Sequence, residues 1–298
     1  MKNRTIVWIL LGGGVLGLFL LTMVALVLTA SGGGNAAGFG FGDRIQIVPV
    51  EGTLVESRQI IEQLKRYEDT ESVRAILLNI DSPGGDVATS QELYREIQRL
   101  REEKGKTVVA YMSSVGASGA YYVACAAERI VASPGTLVGS IGVIGEWLNY
   151  GELLDWAMIS SIVFKTGEFK DTGSPTRELT PAETEYFQGL IEDVHAQFVE
   201  AVADGRGLDI AQVREFADGR VFTGREARDL GMIDDIGNLQ DAIDLTAELA
   251  GITGKPQLID PPPPRFTLMD LLAGDISGLL PLAREAAGTR LRFQYLWK

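Results

Sequence analysis

The chain has very few residues of the types that hold metals or form disulfides. Its 298 residues include one histidine, His195, and one cysteine, Cys125. A single cysteine cannot form an internal disulfide, and these two residues cannot supply the ligands of a zinc site. No predicted strand is followed by a GxGxxG or GxxxxGKS loop, the usual signs of a nucleotide site. We therefore expect neither a metal nor an organic cofactor.

Basic residues are also scarce. The chain has 27 lysines and arginines against 40 aspartates and glutamates, a net charge of −13. Two of the cations, Lys2 and Arg4, precede a long apolar run, and the rest of the chain carries a net charge of about −15. Such a surface repels polyanions, so we expect no nucleic-acid partner.

The apolar run from Ile6 to Ala30 contains no charged residue. As a helix rising about 1.5 Å per residue, it is longer than a hydrocarbon core of about 30 Å. Lys2 and Arg4 predict a cytoplasmic N-terminus, with the remainder outside the cytoplasm. The alternative is a signal peptide cleaved near Ala30, although apolar cores of such peptides are usually shorter. We expect a single-pass anchor in the cell membrane.

Composition divides the chain into four segments: the N-terminus and anchor at 1–30, a Gly/Ala/Phe linker at 31–42, a main domain at 43–260 and a tail at 261–298. The tail begins with a stiff run of four prolines. Its leucines recur at near-helical spacing, which fits a membrane-surface helix, a subunit contact, or a helix folded back on the main domain. Residues 291–297 alternate as in a strand that adds to a sheet edge, and the tail could lie near the active site.

In the main domain, strand patterns alternate with helix patterns. The run 75–80 is continuously apolar, as expected of a strand covered on both faces. This alternation predicts an α/β fold with a largely parallel sheet flanked by helices. The predicted strands are 45–50, 75–80, 107–111, 129–132 and 162–164, and the predicted helices are 58–68, about 86–103, 118–127, 181–203, 208–217, 224–231 and 239–249.

Two glycine turns follow neighbouring predicted strands. Ser118 lies where strand 107–111 gives way to a helix, and small residues around it leave room for a substrate backbone, so it could act as a nucleophile. Alone, a serine there is an ordinary helix cap. In the other turn, the N–H of Gly85 could bind an oxyanion together with that of Gly119. The alternative is a plain turn, but neighbouring strands would bring the two turns face to face.

A nucleophilic serine needs a base. His195 lies within a predicted helix, where we expect it to be solvated, so Lys170 is the better candidate. An exposed lysine has a pKa of about 10.4, so this one must be desolvated, with hydroxyls such as that of Ser140 bonding the neutral amine. An ion pair with Asp171 would raise the pKa, and we expect that carboxylate to point away. On its own, a lysine in a loop is usually a surface charge.

Five sequence blocks follow one another in a characteristic order: Asp81–Gly85, Gly116–Tyr122, Thr136–Val143, Lys170–Arg177 and Asp218–Gly224. In these blocks, and over nearly its whole length beyond the anchor, the chain resembles the short, single-domain bacterial form of the SppA-type signal peptide peptidases. The resemblance implies a crotonase-like fold, which also occurs in Clp proteases and acyl-CoA hydratases.

The resemblance implies a role for each site residue. It makes Ser118 the nucleophile, Lys170 the general base and Ser140 the hydroxyl that orients the lysine, with Gly85 and Gly119 forming the oxyanion hole. Members of the family assemble into rings, octamers in the short form, in which neighbouring subunits supply the serine and the lysine of one site. Assembly would then be a condition of activity.

The resemblance also implies a substrate class. Family enzymes cut leftover signal peptides and other hydrophobic segments near the membrane, and favour small or apolar side chains at the cleavage point. Asp86 departs from the family, in which small or apolar residues are common at this position. This difference puts acidic substrates in doubt. The sequence thus predicts a membrane-anchored serine endopeptidase with a Ser-Lys dyad. The alternatives are an acyl-CoA enzyme of the same fold and a non-catalytic membrane scaffold.

Overall fold

The computed structural model describes residues 42–261 and 293–296. The predicted anchor, nearly all of the linker and the predicted tail helix lie outside these residues. Within the described ranges, no helix combines the length and apolar character that crossing a membrane requires.

The described residues form a mixed α/β fold with a largely parallel main sheet. In this sheet the order is β10-β1-β2-β4-β5-β9, and all of these neighbours are parallel. The short strand β6 also pairs with β4, and β8 pairs antiparallel with β6. The strands are β1 (Arg44–Glu51), β2 (Val73–Ser82), β3 (Gly84–Asp86), β4 (Thr107–Ala117), β5 (Arg129–Ala132), β6 (Leu137–Gly139), β7 (Ile144–Gly145), β8 (Val221–Thr223), β9 (Asp235–Ile236), β10 (Gln257–Ile259) and β11 (Phe293–Leu296).

Helices cover both faces of this sheet, as the continuously apolar run 75–80 predicts. Alternate residues of β2 point to opposite faces, so Ile76 and Leu78 join one buried cluster while Ala75 and Leu77 join the other. The helices are α1 (Arg58–Lys65), α2 (Val87–Glu102), α3 (Gly119–Ala124), α4 (Gly151–Trp156), α5 (Pro181–Arg206), α6 (Ile210–Phe216), α7 (Gly224–Asp229) and α8 (Leu239–Leu249).

Helix α5 begins where the sequence predicts. Thr180 accepts a hydrogen bond from the Glu183 backbone N–H, and the Glu183 side chain accepts one from the Thr180 N–H. This reciprocal capping box satisfies donors that the first helical turn leaves unpaired. The helix then runs to Arg206, three residues beyond the predicted end, and Gly207 caps it in the left-handed conformation.

One predicted strand is wrong. Residues 162–164 form no strand, and they belong to a segment whose apolar side chains are largely exposed. We call residues 148–164 the apolar arm. A strand needs a neighbour for its backbone hydrogen bonds, and the main sheet offers none here. Burial in a sheet therefore does not explain the apolar residues of this segment.

The C-terminal strand lies in a second, three-stranded sheet. Strand β11 pairs antiparallel with β3 on one side and with β7 on the other. The alternating residues 291–297 predict a strand that adds to a sheet edge, and the structure confirms a strand at Phe293–Leu296. Its neighbour β3 contains Gly85, so the strand lies beside the predicted active site.

Candidate active site

Ser118 occupies a sharp turn between a strand and a helix. Strand β4 ends at Ala117 and helix α3 begins at Gly119, and Ser118 between them has φ 53° and ψ −121°. These angles strain the backbone of a residue other than glycine by about 1–3 kcal/mol. A strained strand-to-helix turn of this kind presents the nucleophilic serine in α/β hydrolases. Its amide donates to the Gly139 carbonyl over 2.6 Å, which helps to hold the turn.

The Ser118 hydroxyl is buried and has no partner among the described residues. The residue is 1% exposed, and its Oγ makes no hydrogen bond there. Leaving a buried hydroxyl unpaired costs about 1–3 kcal/mol, so such groups are rare and call for an explanation. The hydroxyl is therefore free to bond with a group that the described chain does not supply.

Ser140 lies beside Ser118 because two strands pair at their ends. Ala117 of β4 is the partner of Gly139 in β6, so the residues that follow these two are adjacent. Ser140 is buried, has φ 53° and donates its amide to the Arg220 carbonyl over 2.8 Å. The structure thus brings together the predicted nucleophile and the predicted orienting hydroxyl.

The two glycine turns face each other, as predicted. Strands β2 and β4 are neighbours, and Ser82 pairs with Gly116 at their ends. A methyl group added at Gly119 would lie only 3.2 Å from the Gly85 nitrogen. A methyl group at Gly85 would lie 2.2 Å from the Leu54 carbonyl oxygen, so a larger residue does not fit there. The backbone N–H groups of Gly85 and Gly119 therefore lie close together.

The Gly85 N–H points away from the neighbouring segment that contains Leu54. Leu54 donates to the Gly84 carbonyl and accepts from the Asp86 N–H, each over 2.8 Å. Backbone groups of an extended strand point alternately to its two sides, so the N–H between these bonds faces the opposite side. Strand β11 lies along that side of β3, with Tyr295 opposite Gly85.

Lys170 is exposed and makes no hydrogen bond or ion pair through its side chain with any residue in the described ranges. It lies in a 3-10 turn, Glu168–Asp171. As expected, the neighbouring carboxylate points elsewhere: Asp171 bonds to Lys165 and lies 3.1 Å from Arg177. These two cations lower the pKa of Asp171, with the Lys165 hydrogen bond as the larger cause. The Asp171 carboxylate therefore pairs with Lys165 and Arg177, and it forms no ion pair with the Lys170 amine.

Within one chain, the structure does not bring Lys170 to Ser118. The serine is buried with an unpartnered hydroxyl, whereas the lysine is open to solvent. Lys170 follows the apolar arm, where Trp156 is 82% exposed and Phe164 is 95% exposed. A single chain therefore presents Ser118, Ser140 and the glycine amides together, and it presents the predicted base, Lys170, separately.

The lone histidine and the lone cysteine lie outside this group. His195, expected to be solvated, is half-buried on α5 because that helix packs on the core, and its Nε2 has no partner among the described residues. It therefore makes no hydrogen bond to Ser118. Cys125 is buried as predicted, and burial raises the pKa of its thiol to about 12. Neither residue competes with Lys170 for the role of base.

Sequence analysis did not single out the aromatic residues near the site. Tyr122 follows Ser118 by four residues, one helical turn, and stacks with Tyr295 of β11. Phe198 of α5 packs against both rings. The spacing from Ser118 to Tyr122 was a usable signal, but the approach of α5 and β11 depends on tertiary structure.

Sequence comparisons relate this chain to known peptidases. Residues 100–253 match the model of peptidase family S49, and residues 26–136 match the Clp protease model. A candidate protease of Synechocystis sp. is 41% identical over 211 residues, which cover 70% of this chain and 75% of that protein. The chloroplastic serine protease SPPA of Arabidopsis thaliana is 34% identical over 240 residues, 80% of this chain. Protease 4 of Salmonella typhi is 35% identical over 222 residues, 72% of this chain.

The extent of these matches differs between relatives. The aligned region is only 35% of the Arabidopsis protein and 35% of the Salmonella protein, so the chain spans about a third of each. The match to family S49 nevertheless covers about half of this chain, and it includes Ser118, Ser140 and Lys170. The chain therefore belongs to peptidase family S49, the SppA-type family that its five sequence blocks resemble.

Proposed function

We propose that the protein is a membrane-anchored serine endopeptidase that degrades remnant signal peptides and other hydrophobic, membrane-proximal peptides. Ser118 is the nucleophile and Lys170 the general base. One observation carries the proposal: a buried, unpartnered serine hydroxyl on a strained turn lies beside two glycine amides. The Arabidopsis relative's name, a serine protease, supports the same chemistry.

The reaction follows from the roles of these groups. The Ser118 Oγ attacks the peptide carbonyl carbon, and its proton passes to the uncharged Lys170 amine. The N–H groups of Gly85 and Gly119 bind the oxyanion, and Ser140 orients the lysine. The peptide C–N bond breaks, and the leaving amine takes the proton from Lys170. Water then attacks the acyl-enzyme carbonyl carbon and gives a proton to Lys170. The ester bond to Ser118 Oγ breaks, Lys170 returns the proton to Oγ, and the acid leaves.

Assembly of several copies completes this site. The apolar arm exposes a run of large side chains that a monomer rarely leaves open to water. In the proposal the apolar arm of one copy packs against a second copy, and Lys170 of the first copy lies beside Ser118 of the second. Burial from water there favours the uncharged form of the lysine amine. The exposed side chains are Leu148, Leu153, Trp156, Met158, Ile159, Ile162, Val163 and Phe164.

Complementation tests the shared dyad. Ser118→Ala and Lys170→Ala should each lower kcat/KM for a synthetic signal peptide at least about 1000-fold. Co-assembly of equal amounts of the two variants should restore about a quarter of the wild-type activity. In a random mixture, about a quarter of the subunit contacts join an intact serine to an intact lysine.

The matched control is co-assembly of Ser118→Ala with the double variant, which contains no intact serine and should stay inactive. Near-normal activity of either single variant would show that the dyad is wrong. If the two variants co-assemble without regaining activity, the serine and lysine of one site do not come from different subunits.

The membrane anchor has a separate test. Residues 1–30 should hold the full chain in the membrane fraction during alkaline carbonate extraction, because about 20 apolar residues suffice to span a bilayer. A chain lacking these residues should be released. Release of the full chain as well would contradict the anchor without affecting the proposed chemistry.

A further inference from the structure

The carboxylate of Glu183 is buried close to the turn that carries Lys170. Glu183 lies in the first turn of α5 and is 2% exposed. Its two oxygens accept hydrogen bonds from the Arg177 guanidinium over 2.8 Å and 2.5 Å, from the Thr172 hydroxyl over 3.1 Å and from the Thr180 backbone N–H over 2.8 Å. Burying a charge is costly unless it is paired and hydrogen-bonded, and here donors reach both oxygens. The carboxylate is therefore held in one position.

The Arg177 guanidinium also holds the residue that follows Lys170. Its Nη2 donates to the Asp171 backbone carbonyl over 3.3 Å, and its Nε donates to the Asp171 carboxylate over 3.3 Å. The two bonds to Glu183 fix the plane of the guanidinium, because a bidentate pair restricts orientation as well as distance. The backbone directly after Lys170 is thus attached to the first turn of α5. We call Asp171, Thr172, Arg177, Thr180 and Glu183 the Glu183 hub.

The hub is joined to both ends of the apolar arm. Lys165, the residue after the arm, donates to the Asp171 carboxylate over 2.5 Å. Near the start of the arm, the Tyr150 amide donates to the Pro175 carbonyl over 2.8 Å, within the loop that the hub holds. Lys170 therefore has a fixed place relative to the surface that, in the proposed assembly, contacts a second copy.

This fixed place matters because the Lys170 side chain forms no hydrogen bond or ion pair with the described residues. A general base must come within about 3 Å of the hydroxyl that it deprotonates. A misplacement of about 1 Å can lower the rate about 100-fold. Within one chain, only the backbone that carries the lysine can set this distance.

We propose that Arg177 and Glu183 are positioning residues for the general base, and that they place the Lys170 amine for proton transfer by fixing the backbone directly after it. They act through Lys170 and make no described contact with Ser118. The proposal rests on the proposed dyad of Ser118 and Lys170. It gives the buried ion pair a role in the reaction rate, beyond its effect on the stability of α5.

Kinetics of full-length Arg177→Lys separates positioning from substrate binding. Lysine keeps the charge but lacks the planar fork that joins Glu183 to Asp171. The kcat for a synthetic signal peptide should fall roughly 10- to 100-fold. KM should change less than about twofold, since the peptide contacts other groups. Arg58→Lys, at the exposed ion pair with Glu62, is the matched control and should keep the wild-type kcat. An unchanged kcat in Arg177→Lys overturns the proposal.

Complementation shows on which side of the subunit contact the defect lies, provided that Ser118→Ala and Lys170→Ala restore one another. Mixed in equal amounts with Ser118→Ala, Arg177→Lys should regain about a quarter of the wild-type activity, because its intact serine then meets a well-placed lysine in that share of contacts. Mixed with Lys170→Ala, it should not exceed its own low activity. Restoration by neither variant, as expected of a subunit that misfolds or fails to assemble, overturns the proposal, and so does equal restoration by both.

The outcomes separate this proposal from the dyad on which it rests. If Lys170→Ala is as active as wild type, the base is wrong and the positioning role falls with it. If Lys170→Ala is inactive while Arg177→Lys is fully active, the dyad stands and the positioning role is wrong. If Ser118→Ala and Lys170→Ala co-assemble without regaining activity, both groups of a site come from one chain, and the kcat and KM of Arg177→Lys decide the positioning role.

Discussion

Strain at Ser118 is the most telling feature at the scale of single residues. Its backbone has angles that glycine tolerates and other residues rarely adopt, and a second serine, Ser140, also has φ 53°. The burial of a hydroxyl without a partner adds to the cost. Residues that cost stability in this way cluster at functional sites, where the surrounding structure holds them.

This strain makes a prediction about stability. Ser118→Gly should be more stable than Ser118→Ala by roughly 1 kcal/mol, because glycine relieves more strain than it loses to the entropy of the unfolded chain. Urea unfolding of the two inactive variants measures the difference. Ser113 lacks a positive φ, so the order of stability should reverse there, and Ser113→Gly should be less stable than Ser113→Ala. A Ser118→Gly variant less stable than Ser118→Ala would contradict strain at this turn.

At the scale of elements, an ion-pair network ties the turn that carries Lys170 to the start of α5. Arg177 bonds to Asp171 on that turn and to Glu183 in the first turn of the helix. Glu183 also completes the capping box with Thr180. The network holds the segment that presents Lys170, although the lysine itself forms no ion pair with the described residues.

The network predicts a pH dependence. The Arg177 hydrogen bond, followed by the Thr180 backbone N–H, holds the pKa of Glu183 well below its ordinary value. A carboxylate whose pKa is lowered in the folded state stabilises the fold at pH values above its unfolded-state pKa of about 4.3. This stabilisation is lost as the pH falls from there toward the pKa of the folded state. Glu183→Gln should therefore lower the free energy of unfolding at pH 7, and its difference from wild type should shrink below about pH 4.

Urea unfolding between pH 7 and pH 3 checks this expectation. Glu185→Gln is the matched control, since Glu185 lies on the same helix, is exposed and forms no ion pair with the described residues. A constant difference between Glu183→Gln and wild type across this range would rule out the ionised carboxylate as its source.

At the scale of the whole molecule, Lys170 follows the exposed apolar arm, which forms the subunit contact in the proposed assembly. Phe164→Glu and Trp156→Glu should each break that proposed assembly and reduce peptidase activity, because a buried unpaired charge is costly at a subunit contact. Leu249→Glu, a partly exposed leucine on α8, should leave both unchanged. Sedimentation velocity and peptide cleavage give the two readouts. An assembled, active Phe164→Glu variant would place the contact elsewhere.

The sequence alone predicted most of the local structure. The apolar runs and turn residues predicted the parallel strands, the helices and the capped start of α5, because periodicity and capping depend on near neighbours. The two glycine turns were predicted to face each other because neighbouring parallel strands end on the same side. Residues 162–164 failed as a strand because a strand also needs a distant partner, which periodicity does not report.

By itself, the sequence determined the fold class and the family, since residue type and spacing carry that information, and it predicted Ser118, Ser140, Lys170 and the glycine pair as the site residues. Only the tertiary structure decided that Lys170 stands apart from Ser118 within one chain. It also decided that β11 lies beside β3 and that Tyr295 enters a pocket built from α3 and α5. These contacts join segments up to about 200 residues apart, and such pairings depend on packing in three dimensions rather than on local pattern.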